Sequence, residues 1–141
     1  MKHPVAEADY VIIGAGAAAM AFADTLLSES DATMVLVDRR DRPGGHWNDA
    51  YPFIRLHSPA FFYGVNSAPL GSDRIDATGL NHGHLELATG SEICGYFDQV
   101  MRHTFLPSGR VKFLPLHDYG EGGIATSRLS GEKIRLLARR R

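Results

Sequence analysis

The sequence predicts an α/β fold in which a parallel βαβ unit is followed by a helix and a small antiparallel β-meander. Three observations carry the prediction. A β-branched run at residues 9–14, Asp-Tyr-Val-Ile-Ile-Gly, ends on glycine. A stretch rich in alanine and leucine, 16–28, follows it, and a second apolar run, Thr-Met-Val-Leu-Val-Asp, fills 33–38. Towards the C-terminus, short apolar segments alternate with glycine-bearing turns.

Each element has a local reason. Residues 9–14 are apolar on both faces, as a buried parallel strand requires. Met20, Ala23 and Leu27 recur at helical spacing within 16–28, and alanine favours the helix. Residues 33–38 form the second strand. Two strands joined by one short helix run parallel with a right-handed crossover. Ala23 and Leu26 mark the helix face that meets the sheet, and Val35 and Val37 the packing positions of the second strand. Residues 39–90 lack periodicity and scatter glycine, proline, asparagine and histidine, which predicts a long irregular segment. Loops of that length usually serve a function. The aromatics Trp47, Tyr51, Phe53, Phe61, Phe62 and Tyr63 argue that it is packed rather than disordered. Ile93, Tyr96, Phe97, Val100 and Met101 share one face of a helix over 91–106, which Pro107-Ser108-Gly109 ends. Strands are expected at 111–117, 124–129 and 132–139, with turns at Gly120 to Gly123 and Ser130-Gly131.

Composition narrows the function. The 141 residues suffice for one modest domain, and the net charge of −1 gives no footprint for nucleic acid. Arg139-Arg140-Arg141 reads as a solvated strand end. The single cysteine, Cys94, cannot form an internal disulfide and fits a reducing compartment. It reads as a small core residue. No apolar run approaches a membrane span, and the start of the chain lacks a signal-peptide core. The expected location is cytoplasmic, with neither membrane nor nucleic acid as partner. His82, His84 and Glu86 would share a face of a strand. Asn81 and Gly83 point to a loop there instead, so no metal site is expected. His3, His103 and His117 are isolated and expected to be exposed.

The chemistry lies in Gly14-Ala15-Gly16-Ala17-Ala18-Ala19. Gly14 allows the tight turn out of the strand, and Gly16 lets a pyrophosphate approach the backbone. Ala19 is small enough for close packing of helix on strand. The helix aims its free N–H groups at the phosphates. Asp38 ends the second strand at about the ~20-residue offset of a carboxylate that accepts from a ribose hydroxyl. The motif follows a strand and opens a helix, the context that gives it meaning. Arg39, with Arg40 and Arg42 beside it, would suit a 2′-phosphate, although Asp38 would repel one; a solvated basic loop is the other reading. Gly44 and Gly45 allow a loop to pass close to a pyrophosphate or ribityl chain, or simply form a turn after Pro43.

Residues 9–66 resemble the N-terminal FAD-binding region of flavin-dependent monooxygenases, of the flavin-containing and Baeyer–Villiger types. The resemblance rests on Gly14-x-Gly16-x-x-Ala19-x-x-x-Ala23, Asp38 and Gly44-Gly45-His46-Trp47. The family usually has threonine at position 46 and more often glutamate at 38. It implies an incomplete FAD/NAD(P)-binding Rossmann-type domain, with FAD held by Gly14 to Ala19, Asp38, Arg39 and Gly44 to Trp47. Trp47 would cover the flavin or act as a hydrophobic plug. Leu56-His57-Ser58-Pro59 is similar to the family's Leu-x-Thr-Asn-like stretch beside the isoalloxazine. Ser58 matches the threonine, but Pro59 cannot supply asparagine's amide. His57 is either a proton donor near the flavin or an ordinary loop histidine.

The resemblance further implies flavin-dependent oxidoreduction of a monooxygenase-like kind, with NADPH as hydride donor in the full-length enzyme. Its second glycine motif and C-terminal flavin contacts have no counterpart in this sequence. The expectation is a truncated, single partial FAD-binding domain over 1–141: the ADP-binding unit 9–38, a flavin-proximal segment 39–90, a helix 91–106 and a meander 110–140. Alone, it is expected to be inactive. Two alternatives stay open: a non-catalytic FAD- or ADP-binding module working with a partner chain that supplies the missing half, and an NAD-dependent dehydrogenase fragment.

Overall fold

The computed structural model describes residues 3–49, 64–65, 67–68, 70 and 90–139. Its strands are β1 (Val5–Ala8), β2 (Tyr10–Ile13), β3 (Met34–Val37), β4 (Val111–Leu114), β5 (His117–Gly120), β6 (Ile124–Ser127) and β7 (Lys133–Ala138). The helices are α1 (Ala17–Glu29) and α2 (Gly90–Val100). The latter continues as a π-type turn at Met101–Phe105 and a short 3-10 turn at Leu106–Ser108.

Two sheets form. One is parallel, in the order β2-β3-β4, with Tyr10 opposite Met34 and Met34 opposite Val111. The other has the order β1-β7-β6-β5. In it β1 runs parallel to β7, while β5-β6 and β6-β7 are antiparallel. The chain passes from β1 to β2 across Asp9. The Asp9 carboxylate accepts from the Thr33 N–H at 2.9 Å, and the Asp9 N–H donates to Thr33 Oγ1 at 3.1 Å.

The parallel βαβ unit is present as expected, and β3 is buried along its whole length. Its two faces meet different partners. Met34 and Leu36 join Met20 and Ala23 of α1 and Ile93, Phe97 and Val100 of α2 in the main core. Val35 and Val37, expected as the strand's packing positions, face the other way and pack with Ala8, Ala125 and Leu136 of the second sheet. A strand covered on both sides has no polar face, which is why 33–38 reads as an unbroken apolar run.

Polar ties fix the remaining elements. The Arg110 guanidinium donates to the carbonyls of Leu26, Leu27, Ser30 and Ala32, in the last turn of α1 and just beyond it, and so ties β4 to the end of that helix. Buried Asp24 accepts from the N–H and hydroxyl of Ser67. Tyr96 accepts from the Val65 N–H at 2.6 Å and donates to the Ala68 carbonyl. These bonds hold the described residues of 64–70 against both helices.

The structure departs from the sequence expectation at 111–117. The stretch is two strands, not one. Val111–Leu114 extends the parallel sheet, and His117–Gly120 begins the antiparallel part. Pro115 has no N–H to give a ladder. Leu116 adopts a φ of 56°, left-handed backbone that a strand cannot contain. The β1 strand was not expected at all.

Candidate functional site

The glycine turn lies between β2 and α1. Gly14 has a φ of 101°, where only glycine sits without strain, and its N–H donates to the Val37 carbonyl at 2.6 Å. Gly16 caps α1 with φ −77° and ψ −175°, and its carbonyl accepts from Met20 N–H at 2.9 Å. No side chain caps this helix start, and no acidic residue stands in its first turn. The first N–H groups of a helix have no intrahelical acceptor, and the dipole makes this end positive. Ala17 packs partly on the main core and Ala19 is half-buried, while Ala18 is exposed.

Asp38 stands immediately beyond β3 and is only 6% exposed. One carboxylate oxygen accepts from the Ala15 N–H at 2.8 Å and the other from the Arg40 N–H at 2.9 Å. It thereby latches the glycine turn to the loop after β3. Each oxygen keeps a further lone pair for another donor. Arg39 is exposed at the edge of the same loop. The Arg40 side chain is turned onto Asp49, at 3.1 and 2.6 Å, and that hydrogen bond raises its already high pKa.

The second glycine pair packs against the first. The Gly44 N–H donates to the Ala15 carbonyl at 2.9 Å. Gly44 and Gly45 have φ values of 121° and 56°. A Cβ on Gly45 would lie 3.0 Å from the Gly16 Cα, tighter than most such contacts, so the Gly16 backbone would have to give way. Gly45 begins a 3-10 turn through Asp49 that contains His46 and Trp47. Trp47 is half-buried against the main core. Cys94 lies behind Gly44, and burial pushes its thiol above the ordinary range, away from thiolate chemistry.

These pieces line a cleft of about 360 Å³. Ile13 to Gly16 form its floor, Val37 to Arg40 one wall, and Gly45 one end. The remaining wall is His117, Asp118 and Tyr119 of β5. Sequence reading assigned no role to these three. Leu116 brings them in: its N–H donates to the Arg40 carbonyl and the His117 N–H to the Asp38 carbonyl, both at 2.9 Å. The signal was Pro115, which breaks the strand just where β5 must turn towards the loop after β3. Of the expected site residues, His57 and Ser58 lie outside the described residues, as does the side chain of His46. His82, His84 and Glu86 do too; among the described residues no group of three ligands is placed to hold a metal.

Residues 12–67, which include the glycine turn, Asp38 and Gly44-Gly45, match the family model described as an NAD(P)-binding Rossmann-like domain. The fold of this chain is Rossmann-like α/β. Uncharacterized proteins of Mycobacterium tuberculosis and Mycobacterium bovis are each 51% identical to it over 136 residues. The match takes in 96% of this chain and 25% of each relative, so the chain spans about a quarter of their length.

Solved structures share the Rossmann-like fold. A flavin-containing monooxygenase from Stenotrophomonas maltophilia superposes with a TM-score of 0.62 at 20% identity, over 92% of this chain and 36% of that one. Closed cyclohexanone monooxygenase gives 0.55 at 24%, over 96% and 25%. The bacillithiol disulfide reductase of Staphylococcus aureus gives 0.63 at 9%, over 92% and 36%. Monooxygenases and a reductase thus share this Rossmann-like frame equally well, and the frame by itself does not choose a reaction. Among the described residues no helix is long and apolar enough to cross a membrane.

Proposed function

We propose that this chain is the FAD-binding part of a flavin-dependent oxidoreductase, monooxygenase-like, with NADPH as hydride donor in the full-length enzyme and a cytoplasmic setting. The observation that carries the nucleotide reading is Gly16. Its backbone is extended, a conformation any residue adopts. Among the described residues a Cβ there would meet only the Gly45 Cα, at an ordinary 3.7 Å. The fold therefore does not demand glycine at this position. A serine, asparagine or aspartate would cap α1 better. What a side chain would obstruct is the approach to the uncapped helix start from the cleft, the place for a pyrophosphate.

The residues fit an ADP moiety. The N–H groups at the start of α1 would hold the phosphates, and the spare lone pairs of Asp38 the ribose hydroxyls. The cleft is at the low end of the ~300–1,000 Å³ range of small-molecule sites, which suits one nucleotide half of a dinucleotide. A flavin bound this way supplies hydride and oxygen chemistry. The chain's own residues bind and orient it: Gly45 props the Gly16 turn, and Asp38 holds that turn to the loop bearing Arg39. The resemblance at Gly44-Gly45-His46-Trp47 and the monooxygenase likenesses of the fold support FAD over NAD.

The open side of β2 favours a second reading, a nucleotide-binding module completed by a further strand-bearing segment or chain. The Tyr10 and Gly14 N–H groups bond to the β3 side. By alternation the Val11 and Ile13 peptide groups point away from it, and among the described residues no strand pairs there.

Calorimetric titration of the purified chain with ADP and FAD tests the proposal. Wild type should bind both. Gly16→Val should keep its circular dichroism spectrum and lose binding. Equal affinity in wild type and variant refutes the assignment.

A further inference from the structure

A second cleft, of about 340 Å³, lies at the opposite end of the parallel sheet from the glycine turn. Three runs of consecutive residues border it: Val5 to Ala8, the whole of β1; Thr33 to Val35, at the start of β3; and Gly109 to Lys112, at the start of β4. Successive side chains of a strand point to opposite faces. A wall that uses every residue of β1 is therefore the edge of that strand and not one of its faces.

That edge is open. β1 is the last strand of its sheet, with β7 beside it. The Arg135 N–H donates to the Pro4 carbonyl at 2.8 Å and the Arg139 N–H to the Ala8 carbonyl at 2.9 Å. Residues 4, 6 and 8 thus turn their peptide groups towards β7, and alternation turns those of Val5 and Glu7 away from it. Among the described residues no strand pairs with them. Val5 is in addition 56% exposed. Val5 and Glu7 each offer an N–H and a carbonyl at the spacing that an added strand would use.

The charge beside this edge has one sign. Arg139 is paired with Glu7 at 3.4 Å and with Asp9 at 3.9 Å. Arg110 directs its guanidinium at backbone carbonyls, which leave its charge uncancelled. The Lys112 side chain is exposed and has no hydrogen-bond or carboxylate partner among the described residues. The cleft between them is floored by Ala6, Ala8 and Val35, which belong to the smaller core cluster. An open edge beside unpaired cations repels a basic strand and attracts an acidic one. We propose that the β1 edge and this cleft dock an extended acidic segment of another protein, added as a strand beside β1 with alternate carboxylates turned towards Lys112 and Arg110. This docking site is separate from the nucleotide cleft and does not depend on its occupant.

Fluorescence anisotropy tests the proposal on the full chain. The probe is a labelled hexapeptide of alternating glutamate and valine, blocked at both ends. Its comparisons are the lysine–valine counterpart and the acidic sequence N-methylated at every amide, which keeps the charge but cannot pair. The acidic peptide should bind, and both comparisons should bind at least about tenfold more weakly. Lys112→Glu should remove the preference for the acidic peptide. Glu7→Pro deletes one outward N–H and should weaken binding, whereas Glu7→Ala, which keeps that N–H, should not. In hydrogen exchange, bound peptide should slow the amides of Val5 and Glu7 and leave those of Val11 and Ile13 unchanged. No binding of the acidic peptide to wild type up to about 1 mM overturns the inference, whether or not any variant folds. Equal binding of the acidic peptide and either comparison does the same. Protection at Val11 and Ile13 instead would place the peptide on β2 and overturn it. Protection of Val5 and Glu7 that rises with protein concentration in the absence of peptide would give the edge to a second copy of the chain, and would overturn it too.

Discussion

Asp38 is the residue at which the fold and the cleft depend on the same atoms, and replacing it separates the two oxygens. Each accepts one backbone N–H in a nearly buried setting, from Ala15 at 2.8 Å and from Arg40 at 2.9 Å. A hydrogen bond to a charged acceptor contributes about 1.5–3 kcal/mol. Asp38→Asn keeps one carbonyl oxygen and sets an amide NH₂ against the other N–H, so one bond is lost. Asp38→Ala loses both. The expected destabilisation is therefore about 1.5–3 kcal/mol for Asp38→Asn and about twice that for Asp38→Ala. Urea unfolding at neutral pH, followed by far-UV circular dichroism, measures it. If Asp38→Asn lies within about 0.5 kcal/mol of wild type, or Asp38→Ala is no worse than Asp38→Asn, the latch is not what holds the two loops together.

Other expectations follow from single contacts. Gly45→Ala places a Cβ 3.0 Å from the Gly16 Cα in left-handed backbone, and should cost about 1–2 kcal/mol from the dihedral alone. Because the Gly16 turn must shift, ADP affinity should fall too, and unchanged affinity would separate the two glycine pairs. Arg110→Ala removes the guanidinium from four carbonyls in and after the last turn of α1, and hydrogen exchange should show that turn opening well before the first. Burial pushes the Cys94 thiol and the Tyr96 phenol above their ordinary values. The unfolded chain then loses these protons first, so stability holds at neutral pH and declines as pH rises past about 8.5. Thermal melts in Cys94→Ala should show a shallower decline; an identical slope would remove the thiol from the account.

The sequence made the βαβ unit legible because its determinants are local. A glycine turn, an alanine-rich helix and Asp38 lie within one crossover, and each constrains the next. The face of α2 was equally plain, since Ile93, Phe97 and Val100 recur at helical spacing and all are buried. What escaped depends on distant partners. Val5–Ala8 is short and half-exposed, and becomes a strand only by pairing with Lys133–Ala138. The alternation in 111–117 says strand but not which sheet. Likewise, the unbroken apolar run of β3 could not reveal that Val35 and Val37 meet a second sheet. The cleft was half legible for the same reason. Its floor and one wall come from the glycine motif and Asp38, whereas the β5 wall depends on how Leu116 bonds to Arg40 across the chain.

The open side of β2 also bears on how the chain behaves in solution. Val11 and Ile13 offer their peptide groups along an edge where Ile13 is 55% exposed and Phe22 of α1 is 46% exposed. An apolar strand edge of this kind is a template for another copy of itself. At high concentration the isolated chain should self-associate through residues 10–13, and sedimentation velocity should show its apparent mass climbing with loading. A lysine in place of Ile13 should hold the chain monomeric, because that side chain contributes little to either core while its charge would stand on the pairing edge.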